Sequence, residues 1–126
     1  MGEEFNASKP IYFQLAERIN RQILRKELQA GDKLPSVREM AIQSGVNPNT
    51  VQRTYSELER MGIVETKRGQ GTFVTENESI LVELRERLKE EQISSFVDDM
   101  KEMGFTVEEM MKGLEEHIRA REGNKA

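Results

Sequence analysis

Ile11, Leu15, Ile19 and Ile23 recur every four residues, with Tyr12, Ala16 and Leu24 beside them. Glu17, Arg18, Arg21 and Arg25 lie off that stripe, and the pattern predicts an amphipathic helix over 10–26. Ser8 can cap it, and Pro10 suits its first turn, where a missing N–H costs nothing. Ala30, Gly31 and Asp32 read as a turn leading to Leu34 and Pro35. A short second helix opens at Ser36, whose spacing to Glu39 makes an S-x-x-E capping box, with Val37, Met40 and Ala41 facing inward. Gly45 ends it as a left-handed cap would. Asn47 then caps a third helix, Pro48 begins it, and Gly62 stops it after Met61.

On this third helix Tyr55 and Leu58 fall within about 40° of Val51, and Thr54 and Met61 flank the stripe. Asn49, Arg53, Ser56 and Arg60 lie on the opposite side, with Gln52 about 100° round from Val51. The apolar stripe packs down and the polar face looks out. Residues 63–68, then Gly69-Gln70-Gly71, then 72–74 read as strand, glycine turn and strand. Beyond them Thr75 or Asn77 can cap a helix bearing Ile80, Leu81, Leu84 and Leu88. Ile93, Phe96, Val97, Met100 and Met103 continue the apolar residues on nearly the opposite face, which fits one long helix with two buried faces or two helices with a kink. Gly104 ends that stretch, and Thr106 with Glu109 form another capping box before Val107, Met110, Met111, Leu114 and Ile118.

The chain of 126 residues is long enough for one compact domain, or a small domain with an appendage. It has no cysteine, which rules out disulfides and thiolate metal sites and fits a reducing compartment. MGEEFNASKP lacks the basic and apolar regions of a secretory signal, and no apolar run approaches the roughly 18 residues of a membrane span. A cytoplasmic protein is expected. The net charge of −4 hides an asymmetry. Residues 1–75 hold 11 Lys and Arg against 9 Asp and Glu, a balance of +2, whereas residues 76–126 hold 8 against 14, a balance of −6. Binding DNA requires local positive potential, not a basic whole.

Two helices joined by a tight turn and followed by a two-stranded wing describe a winged helix-turn-helix. Ala41 allows the crossing helices to approach, Gly45 takes the turn, and Val51 anchors the second helix of the motif. The stretch LPSVREMAIQSGVNPNTVQRTYSELERMGIVETKRGQGTFV resembles the DNA-binding domain of the GntR family of bacterial transcription regulators. PIYFQLAERINRQI, VNPNTVQRTY and the short tail are most similar to the YtrA-like subfamily. The likeness is continuous over residues 10–75 and looser over 76–121; Lys26 stands where such sequences often have Gly, and Thr54 where they often have Ala.

The expected fold is therefore mainly α with a small β-hairpin: a winged helix-turn-helix over 1–75 and an all-helical dimerisation tail over 76–126. A recognition helix enters the major groove by its N-terminus, so its first residues reach base edges. Asn and Gln pair with adenine and Arg with guanine, which selects Asn49, Gln52 and Arg53 for base readout; Pro48 suits a thymine methyl. Asn47 and Thr50 suit phosphate. The resemblance implies that Arg38 contacts DNA, and Ser36 is placed with it among the DNA-binding residues. Lys67, Arg68, Gly69 and Gln70 form the wing tip, suited to phosphate or an adjacent groove.

The expected function is a DNA-binding transcriptional regulator, a repressor, that holds a palindromic double-stranded operator as a homodimer. Its recognition helix spans about 48–61 and its wing 63–75. The tail supports the dimer, since it offers more apolar face than residues 76–126 can bury on themselves. The YtrA-like resemblance implies a target that includes the protein's own operon, often with transporter genes. Other GntR subfamilies carry a large effector domain after the wing, for which this tail is too short, so a small-molecule effector would have to act at the dimer interface. A winged-helix protein-interaction module without sequence-specific DNA binding is the alternative.

An enzyme is not expected: there is no cysteine nucleophile, no phosphate loop and no convergent carboxylate pair. No cofactor or metal is expected either. His117, the single histidine, reads as part of a solvated face beside Glu115 and Glu116, and Met100, Met103, Met110 and Met111 read as adaptable core or dimer packing, with a small-molecule pocket as the other reading. Tyr12 reads as a packing residue, with a phosphate contact as the alternative.

Overall fold

The computed structural model describes Phe5 and residues 7–125. Five helices and one hairpin follow in order: α1 (Ile11–Leu24), α2 (Val37–Ser44), α3 (Pro48–Arg60), β1 (Val64–Lys67), β2 (Gly71–Val74), α4 (Glu78–Glu102) and α5 (Val107–Lys125). The chain gathers into two compact units, Met1–Arg85 and Glu86–Ala126.

In the first unit α3 is the central element, packing against α1, α2 and β1. Val51 and Leu58 on its inner stripe are 0% exposed, and Tyr55 and Thr54 are buried beside them. Leu15, Ile19 and Ile23 of α1, Met40 and Ala41 of α2, and Ile63, Val64 and Val74 of the hairpin complete this core. Each buried Val, Leu, Ile or Met among them contributes about 1.5–3 kcal/mol when taken from water. The stripe ends sooner than its periodicity suggests: Ile11, in the first turn of α1, and Met61, just past α3, are exposed.

Capping follows the local signals with one correction. Ser36 Oγ accepts from the Glu39 N–H at 3.1 Å while Glu39 Oε1 accepts from the Ser36 N–H at 2.8 Å, the reciprocal box expected. Those hydrogen bonds, aided by the charge of Lys33, hold the Glu39 carboxyl below its ordinary value. Gly45 closes α2 at φ 67°. Ser8 does not cap α1; Pro10 is the N-cap and no side chain takes that role, while the Pro10 carbonyl accepts from the N–H groups of Phe13 and Gln14.

Three helices end alike, with one hydrogen bond to the third carbonyl back and one to the fifth: Lys26 to Ile23 and Glu27 to Gln22, Gly62 to Glu59 and Ile63 to Leu58, Gly104 to Lys101 and Phe105 to Met100. The residue at the bend has φ 67° at Lys26, 80° at Gly62 and 90° at Gly104. Lys26 is thus a side-chain-bearing residue in a conformation that favours glycine.

β1 and β2 pair antiparallel in the register Val64↔Val74, Glu65↔Phe73, Thr66↔Thr72 and Lys67↔Gly71. The turn closes with the Gln70 N–H donating to the Lys67 carbonyl at 2.8 Å, and Gly69 takes φ 77° inside it. The segment before α2, expected as a turn alone, also lies along β2. Gly31 N–H donates to Val74 O, Val74 N–H to Asp32 O and Leu34 N–H to Thr72 O, and Lys33 pairs with Phe73. Thr75 N–H donates to Ile63 O, and Asn77 then caps α4 by accepting from the Ser79 N–H. Residues 78–102 form one helix, so the phase change at 92–95 lies within it.

In the second unit Thr106 and Glu109 form the expected capping box, with bonds of 2.9 and 3.1 Å. Met110 is buried, but Val107, Met111, Leu114 and Ile118 of the same helix are exposed, as are Ile93 and Phe96 of α4 and Met103 just past its end.

Candidate nucleic-acid interface

The first turn of α3 is built by its cap. Asn47 Oδ1 accepts from the Asn49 N–H at 2.7 Å, and Pro48 occupies the first helical position. Asn47, Pro48, Asn49, Gln52 and Arg53 are all exposed and Thr50 is half-buried. Asn47 caps through its oxygen, which leaves its amide N–H groups as donors. The helix is fixed from beneath. Tyr55 Oη donates to the Pro35 carbonyl at 2.7 Å, joining α3 to the entrance of α2, and burial pushes the phenol up to about 12, with the Glu39 charge adding to it. Thr54 Oγ1, 0% exposed, lies within donating distance of two carbonyls, Thr50 O at 2.9 Å and Tyr12 O at 3.2 Å.

Arg38 is exposed on α2. Ser36 lies with Lys33, Lys67, Gly69 and Gln70 along one cleft between the start of α2 and the wing turn. The Ser36 hydroxyl accepts from Glu39 and retains its own hydrogen for donation. Lys67, Arg68, Gly69 and Gln70 are exposed, and the Lys67 ammonium sits 4.9 Å from the centre of the Phe73 ring. Two contacts were not visible in the sequence. Lys33 reaches the wing turn through strand pairing: a Cβ at Gly71 would lie 2.7 Å from its Cε. Tyr12 carries the Arg53 guanidinium over its ring, 3.9 Å from the centroid. Both depend on partners some 40 residues distant in sequence, which no local pattern encodes.

The arrangement presents amide, guanidinium and ammonium donors on a helix end and a hairpin tip, with no carboxylate pair or nucleophile among them. Among the described residues no group of three or more His, Asp or Glu gathers to hold a metal ion, and none of the described helices is long and apolar enough to cross a membrane.

Residues 11–74 match the bacterial regulatory proteins of the gntR family. The chain belongs to the GntR family. Its members are regulatory proteins rather than enzymes. The uncharacterized HTH-type transcriptional regulator YhcF of Bacillus subtilis (strain 168) is 60% identical over 114 residues, spanning 90% of this chain and 94% of YhcF. The HTH-type transcriptional repressor YtrA of the same organism is 40% identical over 111 residues, spanning 87% of this chain and 85% of YtrA. The YtrA-like character read from PIYFQLAERINRQI and VNPNTVQRTY is thereby borne out.

Among solved structures, a GntR family transcriptional regulator from Listeria monocytogenes superposes with a TM-score of 0.85 at 37% identity, over 89% of this chain and 98% of that one. AraR(DBD), in complex with operator ORR3, superposes with a TM-score of 0.52 at 31% identity, over 60% of this chain and 88% of that one. The fold is the winged helix-turn-helix of GntR regulators with a helical C-terminal region.

Proposed function

We propose that this GntR-family chain is a sequence-specific DNA-binding repressor that acts in the cytoplasm as a homodimer on a palindromic operator. The observation that carries the reading is the exposed first turn of α3, capped by Asn47 and lined by Asn49, Gln52 and Arg53, with the wing turn of Lys67, Arg68, Gly69 and Gln70 on the same unit. A capped helix end that carries amide and guanidinium forks matches what the major groove requires. Asn49, Gln52 and Arg53 read bases and Pro48 meets a thymine methyl. Asn47, Thr50, Ser36 and Arg38 hold the backbone, and the wing takes the adjacent groove. The AraR(DBD)–operator complex and the repressor YtrA support the partner and the sign of regulation.

Residues 1–75 serve as the reading head and 76–126 as the dimerisation tail. The exposed Ile93, Phe96, Met111, Leu114 and Ile118 support that division, because a monomer leaves them in water. An effector, where one acts, binds at the tail and changes the separation of the two heads.

Anisotropy titrations on a labelled operator test the site. Asn49→Ala or Gln52→Ala is expected to cost about 1–3 kcal/mol and to relax preference at one base pair. Arg68→Ala is expected to weaken all duplexes alike and to flatten the salt dependence. Equal losses on operator and random duplex for Asn49→Ala and Gln52→Ala would remove them from the reading set.

A further inference from the structure

Arg53 is exposed on α3, yet its guanidinium lies over the Tyr12 ring of α1 at 3.9 Å from the centroid. A long side chain on a helix surface samples many rotamers, and a planar guanidinium stacked on an aromatic face samples few. The platform is itself fixed to α3. Thr54, the residue next to Arg53, places its hydroxyl 3.2 Å from the carbonyl of Tyr12 and 2.9 Å from that of Thr50, so its one hydrogen is shared between α1 and α3 directly beneath the stack. The competing partner is occupied: Glu57, one turn on from Arg53, is hydrogen-bonded through both carboxylate oxygens to Arg60. The Arg60 hydrogen bond is the leading cause holding the Glu57 carboxyl below its ordinary value, with the Arg53 charge a smaller one.

We infer that Tyr12 is a positioning residue for DNA recognition: its ring holds the Arg53 guanidinium in one orientation before the duplex arrives, so that Tyr12, Thr54 and Arg53 work as a unit across α1 and α3. The inference rests on the DNA-binding reading above and deepens it. Arg53 then contributes to binding through a preorganised fork rather than one ordered on contact. The role belongs to the ring and not to the hydroxyl, which separates it from a direct phosphate contact by Tyr12.

The test uses the full chain and the duplex that it selects from a random pool. Tyr12→Phe keeps the ring and is expected to bind within about twofold of the unaltered protein, with the same salt dependence. Tyr12→Leu removes the stack and is expected to lose about three- to fivefold. In an Arg53→Ala background Tyr12→Leu is expected to cost nothing further, since the two act as one unit. The ring-current shift of the Arg53 side-chain protons, read by NMR without DNA, should persist in Tyr12→Phe and vanish in Tyr12→Leu, and thermal melts show that each variant is folded.

Equal loss in Tyr12→Phe and Tyr12→Leu with a shallower salt slope would overturn the inference in favour of a phosphate-binding hydroxyl. Additive losses with Arg53→Ala would overturn it too, and both results leave the DNA-binding reading standing. An unaltered protein that selects no duplex would sink that reading and this inference together.

Discussion

Single residues hold α3 in place more than the sequence pattern suggests. Tyr55 sits on the inner stripe of α3, yet its hydroxyl donates to the Pro35 carbonyl. Tyr55→Phe leaves that carbonyl unpaired and is expected to cost about 1–3 kcal/mol in denaturant unfolding. The phenol also sets an alkaline limit. Its folded value is pushed up to about 12 from the 10.0 of an unperturbed tyrosine, so the folded state holds a proton that the unfolded state has given up. Its contribution is complete below pH 10 and is lost as pH rises toward 12, by about 2–3 kcal/mol at the top of the window. Unfolding followed across that range should show a decline that Tyr55→Phe makes shallower; identical slopes would contradict it. Lys26 is the opposite case, a residue at odds with its backbone. Its φ of 67° closes α1 in the same hydrogen-bond pattern that Gly62 and Gly104 use. Lys26→Gly is therefore expected to stabilise the chain by up to about 1 kcal/mol, a rise of a few degrees in Tm.

Elements were legible where their signals are local. Ser36 with Glu39, Asn47 with Pro48, and Thr106 with Glu109 each fix a helix start within four residues, and each forms the bonds its spacing implies. Gly69 between β-branched runs located the wing turn, where glycine takes φ 77° without the strain a side chain would add. What the pattern did not carry is pairing at a distance. The strand-like course of Gly31–Leu34 along β2 depends on hydrogen bonds to Thr72 and Val74, and the stack of Arg53 on Tyr12 depends on where α1 crosses α3. Neither leaves a mark on the residues nearby in sequence. The start of α1 failed for a related reason: Ser8 has the chemistry of a cap, but Pro10, with its fixed backbone, takes the position. At this scale the wing makes a prediction of its own. A Cβ at Gly69 would meet nothing within 4 Å, so Gly69→Ala acts through the backbone alone, at about 1–2 kcal/mol. Because the strain is confined to the turn, operator affinity should fall several-fold while the melting temperature falls only by the few degrees that this strain accounts for. A large fall in melting temperature would mean that the turn supports the core.

For the molecule as a whole, the apolar residues left outside are as informative as those inside. Met111 is 67% exposed and Leu114 46%, on a helix whose Met110 is buried. An isolated chain with that surface is a candidate for self-association. In sedimentation the protein is expected at twice the chain mass at micromolar concentration, and Leu114→Asp with Ile118→Asp at the chain mass, with the helical signal retained. A sedimenting monomer before any substitution would contradict the dimer. The proposed dimer in turn fixes the form of binding site expected, because two heads related by a two-fold axis would meet two half-sites in opposite directions. The most direct measurement is therefore selection from a random duplex pool by the purified full chain, at about 0.15 M salt, where phosphate attraction alone is weak. The account predicts one enriched inverted repeat with half-sites separated by about one helical turn or a multiple of it. A folded protein that enriches no sequence would contradict it and would leave the winged helix as a surface for another protein.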